Sequence, residues 1–194
     1  MKNKLIVLIG VLIIAPNLFA QTVRVLAECT VTYTVSFDEA TTDKNTALLL
    51  SATSKTVYIK GNNSKVELAS PSFTQSVIYD KATGNAVILR EIGNNKFMTK
   101  LDNAKWVAQN AKFQNAVFTP TSETKIILGY ACKKGALQLT DGNTFTLYYA
   151  TNIAPSVKEF EYQFKDVPGF VLEYESQEQE GKKERKKGKG KRKK

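Results

Sequence analysis

The stretch CTVTYTVSF, residues 29–37, alternates apolar or aromatic side chains with hydroxyl side chains at every step. Cys29, Val31, Tyr33, Val35 and Phe37 fall on one side, and Thr30, Thr32, Thr34 and Ser36 on the other. A period of two belongs to a β-strand with one buried and one wet face; a helix would scatter these residues around its circumference. The pattern recurs in TVYIKG, KVELAS, QSVIYD, AVILRE, KFMTKL, TKIILGYACKK, ALQLT, TFTLYYA and GFVLEYE, all short and rich in β-branched or aromatic residues. Between several of them stand GNN at 61–63, TGN at 83–85, GNN at 93–95 and DGN at 141–143. Glycine and asparagine accept the positive φ that tight hairpins require, so successive strands should be antiparallel neighbours. The expectation is a mainly β chain: a single curved antiparallel sheet, or half-open barrel, with one or two short helices.

Helical periodicity is weak. EATTDKNTALLLSAT holds at most a short helix around residues 47–50. In NAKWVAQNAKF, residues Trp106, Asn110 and Phe113 share a helical face while Trp106 and Ala108 share a strand face, and strand is the preferred reading.

The two ends differ from this body. MKNKLIVLIGVLIIAPNLFA has a basic start at Lys2 and Lys4, an apolar run over residues 5–14 and a small Ala20, the layout of a cleaved export signal. A spanning helix needs about 20 apolar residues, twice the length of this run. The expected protein is therefore exported, in the periplasm or associated with an outer membrane, with cleavage near Ala20. LAEC, residues 26–29, resembles a lipid-attachment site only loosely, because Glu28 occupies a small-residue position and Arg24 interrupts the approach. At the other end, residues 181–194 carry a local charge of +9, against +2 in the first twenty residues and −1 between, within a net +10. With neither aromatic nor aliphatic side chains, such a tail cannot offset its ordering entropy. The organisation read from sequence is an export signal over 1–20, a β-rich domain over 21–175 and a basic tail over 176–194. Lys182, Lys183, Arg185, Lys186, Lys187, Lys189, Lys191, Arg192, Lys193 and Lys194 are its candidate anion-binding residues, for an anionic membrane surface or polymer. Specific nucleic-acid binding is not expected, and the oligomeric state stays open.

The chain contains no histidine, which removes Ser–His and Cys–His nucleophile pairs. Its two cysteines cannot complete a structural zinc tetrahedron alone. No phosphate-binding glycine loop is present. Glu159/Glu161 and Glu173/Glu175 are spaced by two, so each pair would share a strand face, more as exposed charge than as an acid–base dyad. The sequence thus predicts no catalytic residue, no metal and no cofactor, and a protein that is not an enzyme. Cys132 is read in one strand with Ile126, Leu128, Tyr130 and Lys134 on its side, and Lys133 on the other. Cys29 and Cys132 either form a disulfide, as an even cysteine count in an exported chain favours, or remain packed thiols.

The stretch from residue 122 to 175 resembles the C-terminal half of the GLPGLI family of Bacteroidetes exported proteins. Lys125, Ile127, Gly129, Tyr130, Cys132 and Lys134 match its lysine–glycine–tyrosine–cysteine strand. Tyr149, Thr151 and Ile153 match the aromatic strand, and Pro168, Gly169, Val171, Leu172 and Glu173 the closing one; Tyr148 stands where tryptophan is usual. The resemblance implies the LolA/LolB-like half-barrel, an antiparallel sheet around an apolar cavity, and brings no catalytic residues. On that footing the expected function is binding of an apolar or lipid-like ligand, or a lipidated peptide, in the cell envelope. Candidate cavity residues are Tyr33, Val35, Phe37, Ile78, Ile88, Met98, Trp106, Tyr148 and Phe170. The alternatives are a surface-interaction protein acting through the tail and, least favoured, a thiol enzyme using Cys132.

Overall fold

The computed structural model describes residues 22–36 and 44–177. The expected export signal, Phe37 and residues 178–194 of the expected basic tail lie outside the described residues, while residues 176 and 177, assigned to the tail from sequence, belong to the last strand. Strands dominate, as the alternation requires, and all but one short pairing are antiparallel. They do not form one sheet. A six-stranded meander is built from β2 (Glu28–Thr34), β3 (Ser54–Lys60), β4 (Asn63–Ala69), β5 (Phe73–Asp80), β6 (Asn85–Ile92) and β7 (Asn95–Leu101), in chain order. A second, four-stranded sheet contains β8 (Val117–Ile127), β9 (Tyr130–Gln138), β10 (Thr144–Ala150) and β12 (Phe170–Gln177), in the order β12-β10-β9-β8. The short β1 (Arg24–Leu26) pairs in parallel with β11 (Ile153–Pro155) and ties the start of the chain to the second sheet's return. Neither large sheet closes into a barrel. The expected single curved sheet is thus divided in two, because α2 (Asn103–Gln109) and the Ala111–Phe113 turn carry the chain off the edge of the meander after β7.

Local chemistry explains most elements. In β2, Cys29, Val31 and Tyr33 are half-buried while Glu28, Thr30, Thr32 and Thr34 are exposed, as the alternation predicts. The glycines of the four Gly–Asn corners all adopt positive φ, from 57° at Gly93 to 92° at Gly142. Gly93 and Asn94 form a two-residue loop closed by the Ile92–Asn95 pair, and the φ of 57° at Gly93 is one that residues with a Cβ rarely adopt. The helix expected near residues 47–50 is α1 (Lys44–Ser51).

Two local readings are corrected. Residues 103–109 are helix rather than strand: Asp102 sits at the N-cap and accepts a hydrogen bond from the Lys105 backbone N–H at 2.8 Å. That cap and the burial of Trp106 against Tyr79 and Tyr162 outweigh a two-residue strand alternation. The run TKIILGYACKK is not one strand. Leu128 and Gly129, with φ of 50° and 81°, turn the chain between β8 and β9, so Lys125 and Ile127, not Ile126, share the face of Cys132.

The core lies between the sheets. Val57 and Ile59 of β3 meet Cys132 of β9, Ala150 of β10 and Phe170 of β12, with Trp106, Ile153 and Val157 closing the cluster. The other face of the second sheet buries Leu137, Leu147, Tyr149 and Val171 under Phe164 and Val167. Of the two states left open for the cysteines, the structure has the packed thiols: Cys29 and Cys132 are free. They belong to opposite walls of the same core, and stacked sheets lie about 10 Å apart, beyond the Cα separation a disulfide bridges.

Candidate functional site

An open groove of about 730 Å³ lies on the end of the second sheet that extends past the first. Register builds its floor. Tyr148 of β10 pairs with Lys134 of β9 on one side and Glu173 of β12 on the other, so all three project from one face. Thr146 and Glu175 form the next such row on the same face. In β8, the register shifts between Pro120 and Thr124, and this bulge carries Glu123 opposite Lys134. Ser36, just beyond β2, Tyr174 and Ser176 complete the lining.

The charged side chains hold one another. Lys134 donates to Glu123 at 2.8 Å, and Lys125 donates to both oxygens of Glu173 at 2.8 and 2.7 Å. The Tyr148 hydroxyl donates to the other oxygen of Glu123. The two amines stand 5.1 Å (Lys125) and 5.8 Å (Lys134) from the centre of the Tyr148 ring. Hydrogen bonds from Lys134 and then Tyr148 hold the Glu123 carboxyl below the usual carboxylate range. Glu123 raises Lys134 and Tyr148 in return, and Glu173 raises Lys125. Glu123, Lys125 and Lys134 are thereby held in their charged forms, presenting a carboxylate acceptor and ammonium donors around one aromatic ring.

Past Ser36, Glu173 and Tyr174, which line both, a second concavity of about 430 Å³ continues between β2 and the tip of the β8–β9 hairpin. Its walls are Val31, Val35, Ile127, Leu128 and Leu172, with Tyr33 and Lys55 at the back. Tyr33 donates from its hydroxyl to the Val171 carbonyl at 2.8 Å.

The cavity residues expected from sequence disperse. Tyr33, Val35 and Tyr148 line these grooves. Ile88, Trp106 and Phe170 are 5, 6 and 1 % exposed, and serve as packed core rather than cavity wall. Ile78 and Met98 point to the far side of the meander, 36 and 62 % exposed, because their register rows contain Lys65 and Glu67 rather than Val66. The Glu173/Glu175 pair does share a strand face; Glu159 and Glu161 lie in the helical turn Glu159–Phe164, not on a strand. Cys132 is fully buried and its thiol is pushed up by burial, the reverse of nucleophile activation. Sequence reading missed Glu123 as a site residue: it lies within β8, and it meets Lys134 only through the register shift between Pro120 and Thr124, which no local spacing signals.

These features define a non-barrel, two-sheet β domain with an open, charge-lined aromatic groove. The chain belongs to the family described as N-glycanase peptide, N-terminal domain, whose model matches residues 31–180. No curated protein and no solved structure matches it. Membership in that family overturns the GLPGLI and LolA/LolB-like resemblance, which rested on strand motifs confined to the C-terminal half. It also overturns the envelope lipid-binding reading, in favour of a glycan-related domain.

Proposed function

We propose that this chain is an exported, non-enzymatic recognition domain for N-glycosylated proteins. The observation that carries the reading is the polar, aromatic groove in a chain of the N-glycanase N-terminal-domain family. Hydrogen-bonding side chains that are already paired and ionised suit binding of a hydroxyl-rich partner without reorganisation. They suit proton transfer poorly. Glu123 is held ionised by Lys134 and Tyr148, and Glu173 is engaged at both oxygens by Lys125. A general acid needs a carboxyl that retains its proton near working pH, the opposite of the environment around Glu123.

The test compares the full chain's binding to one N-glycosylated protein and to the same protein made without glycans, with released glycan measured in parallel. Binding to the glycosylated form alone, with no glycan released, is the expected result. Equal binding to both forms, binding to neither, or glycan release would overturn the reading.

A further inference from the structure

We infer that the groove floor around Tyr148 is a binding site for a neutral oligosaccharide, with Tyr148, Glu123, Lys134, Glu173 and Glu175 as its contact residues. This rests on the recognition reading above and names its ligand. Three classes of ligand are separated by the floor itself. An acyl chain requires an apolar lining, and here the lining includes Lys134, Glu173 and Glu175 around Thr146. A polyanion or acidic saccharide requires excess positive charge, whereas the carboxylates of Glu123, Glu173 and Glu175 outnumber the amines of Lys125 and Lys134. A neutral sugar meets neither objection. Each of its hydroxyls both donates and accepts, so it can give a proton to a carboxylate while accepting from the ammonium paired with that carboxylate.

The geometry supplies that alternation at sugar scale. Two Lys–Glu pairs, each with contacts of 2.7–2.8 Å, flank one tyrosine ring at 5.1 and 5.8 Å from its centre. Tyr148 provides an apolar patch for the C–H face of a pyranose, while its hydroxyl is already committed to Glu123. Thr146, Ser36 and Ser176 add neutral hydroxyls along the same groove. At about 730 Å³ the groove has room for more than one sugar ring, and it is open to solvent.

The experiment titrates the isotope-labelled full chain with a neutral N-acetylglucosamine or mannose oligosaccharide, and in a second arm with a sialylated one, following amide shifts by NMR. The expected result is saturable shifts confined to the strands carrying Glu123, Lys134, Tyr148 and Glu173, with weaker binding in the sialylated arm. Tyr148→Ala should lose about tenfold or more in affinity, whereas Tyr148→Phe, which keeps the ring, should stay within about threefold. Glu175→Lys reverses a charge on an exposed position and should shift the preference towards the sialylated arm. Tighter sialylated binding by the natural sequence, shifts elsewhere, absence of shifts, or an unaffected, folded Tyr148→Ala would each overturn the assignment. If Tyr148→Ala still binds the glycosylated protein, this site is wrong and the recognition reading survives. If the natural sequence does not bind that protein, the recognition reading itself falls.

Discussion

Lys55 on β3 donates to the carboxylate of Glu161, 106 residues later in the chain, and so pins the first sheet to the turn that covers the second. The lysine and glutamate side chains are only 12 and 5 % exposed. Lys55 also donates to the Tyr174 hydroxyl at 2.9 Å, and its amine lies 4.8 and 4.7 Å from the ring centres of Tyr33 and Tyr174. Burial alone would depress the amine, but the Glu161 carboxylate and Tyr174 hold it above the ordinary lysine range. Burial pushes the Glu161 carboxyl up while Lys55 pulls it back.

Breaking this pair from one side should be costly. Lys55→Met leaves Glu161 buried without its cation, and such a loss destabilises by about 3–5 kcal/mol. Adding Glu161→Leu removes the orphaned charge and should restore most of that stability. Urea unfolding midpoints of the single and double variants measure both effects; a single variant within about 1 kcal/mol of the natural protein would show the pair to be dispensable.

Alkali should destabilise the fold, with Tyr33 as a principal contributor. Its hydroxyl is pushed well above the ordinary tyrosine value by burial, then by Glu161, Tyr174 and Cys29, and Lys55 beside it is also raised. A raised folded value means that the stabilisation is whole below about pH 10 and is lost as pH climbs beyond it. Each such group contributes a slope of up to about 1.4 kcal/mol per pH unit. Tyr33→Phe should cost about 1 kcal/mol at neutral pH through the lost bond to Val171, yet lose stability less steeply above pH 10. Parallel slopes for the two proteins would contradict this assignment.

The β8–β9 hairpin turns on Leu128 at φ 50° followed by Gly129 at φ 81°, and Leu128 is 76 % exposed. A branched side chain is poorly suited to that conformation, and asparagine–glycine is the preferred pair for such a two-residue loop. Leu128→Asn should therefore gain about 0.5–1 kcal/mol despite removing an apolar residue. Thermal melting decides it, and a fall in Tm would mean that the leucine packs in a way its exposure does not reveal.

Both thiols should resist modification in the native state. Cys132 is fully buried, Cys29 is half-buried, and burial raises each. A thiol-reactive dye near neutral pH should label Cys29 slowly and Cys132 only after unfolding. Rapid labelling of Cys132, or a protein oxidised at both positions when purified without reductant, would count against the packing seen here.

Sequence by itself determined the local conformations. The alternation in β2, the glycines at the hairpin corners and the position of α1 were legible because side-chain period and positive φ are properties of a few neighbouring residues. Tertiary structure decided everything that depends on register and layering. The division into two sheets, the helix at Trp106 and the turn at Leu128 follow from caps and packing that the strand-like spacing concealed. The groove was legible only in part: Tyr148 and the Glu173/Glu175 face were visible, but the bulge that brings Glu123 to Lys134 was not. Charges far apart in the chain become partners only when strand pairing sets which rows meet, and no local pattern specifies that pairing.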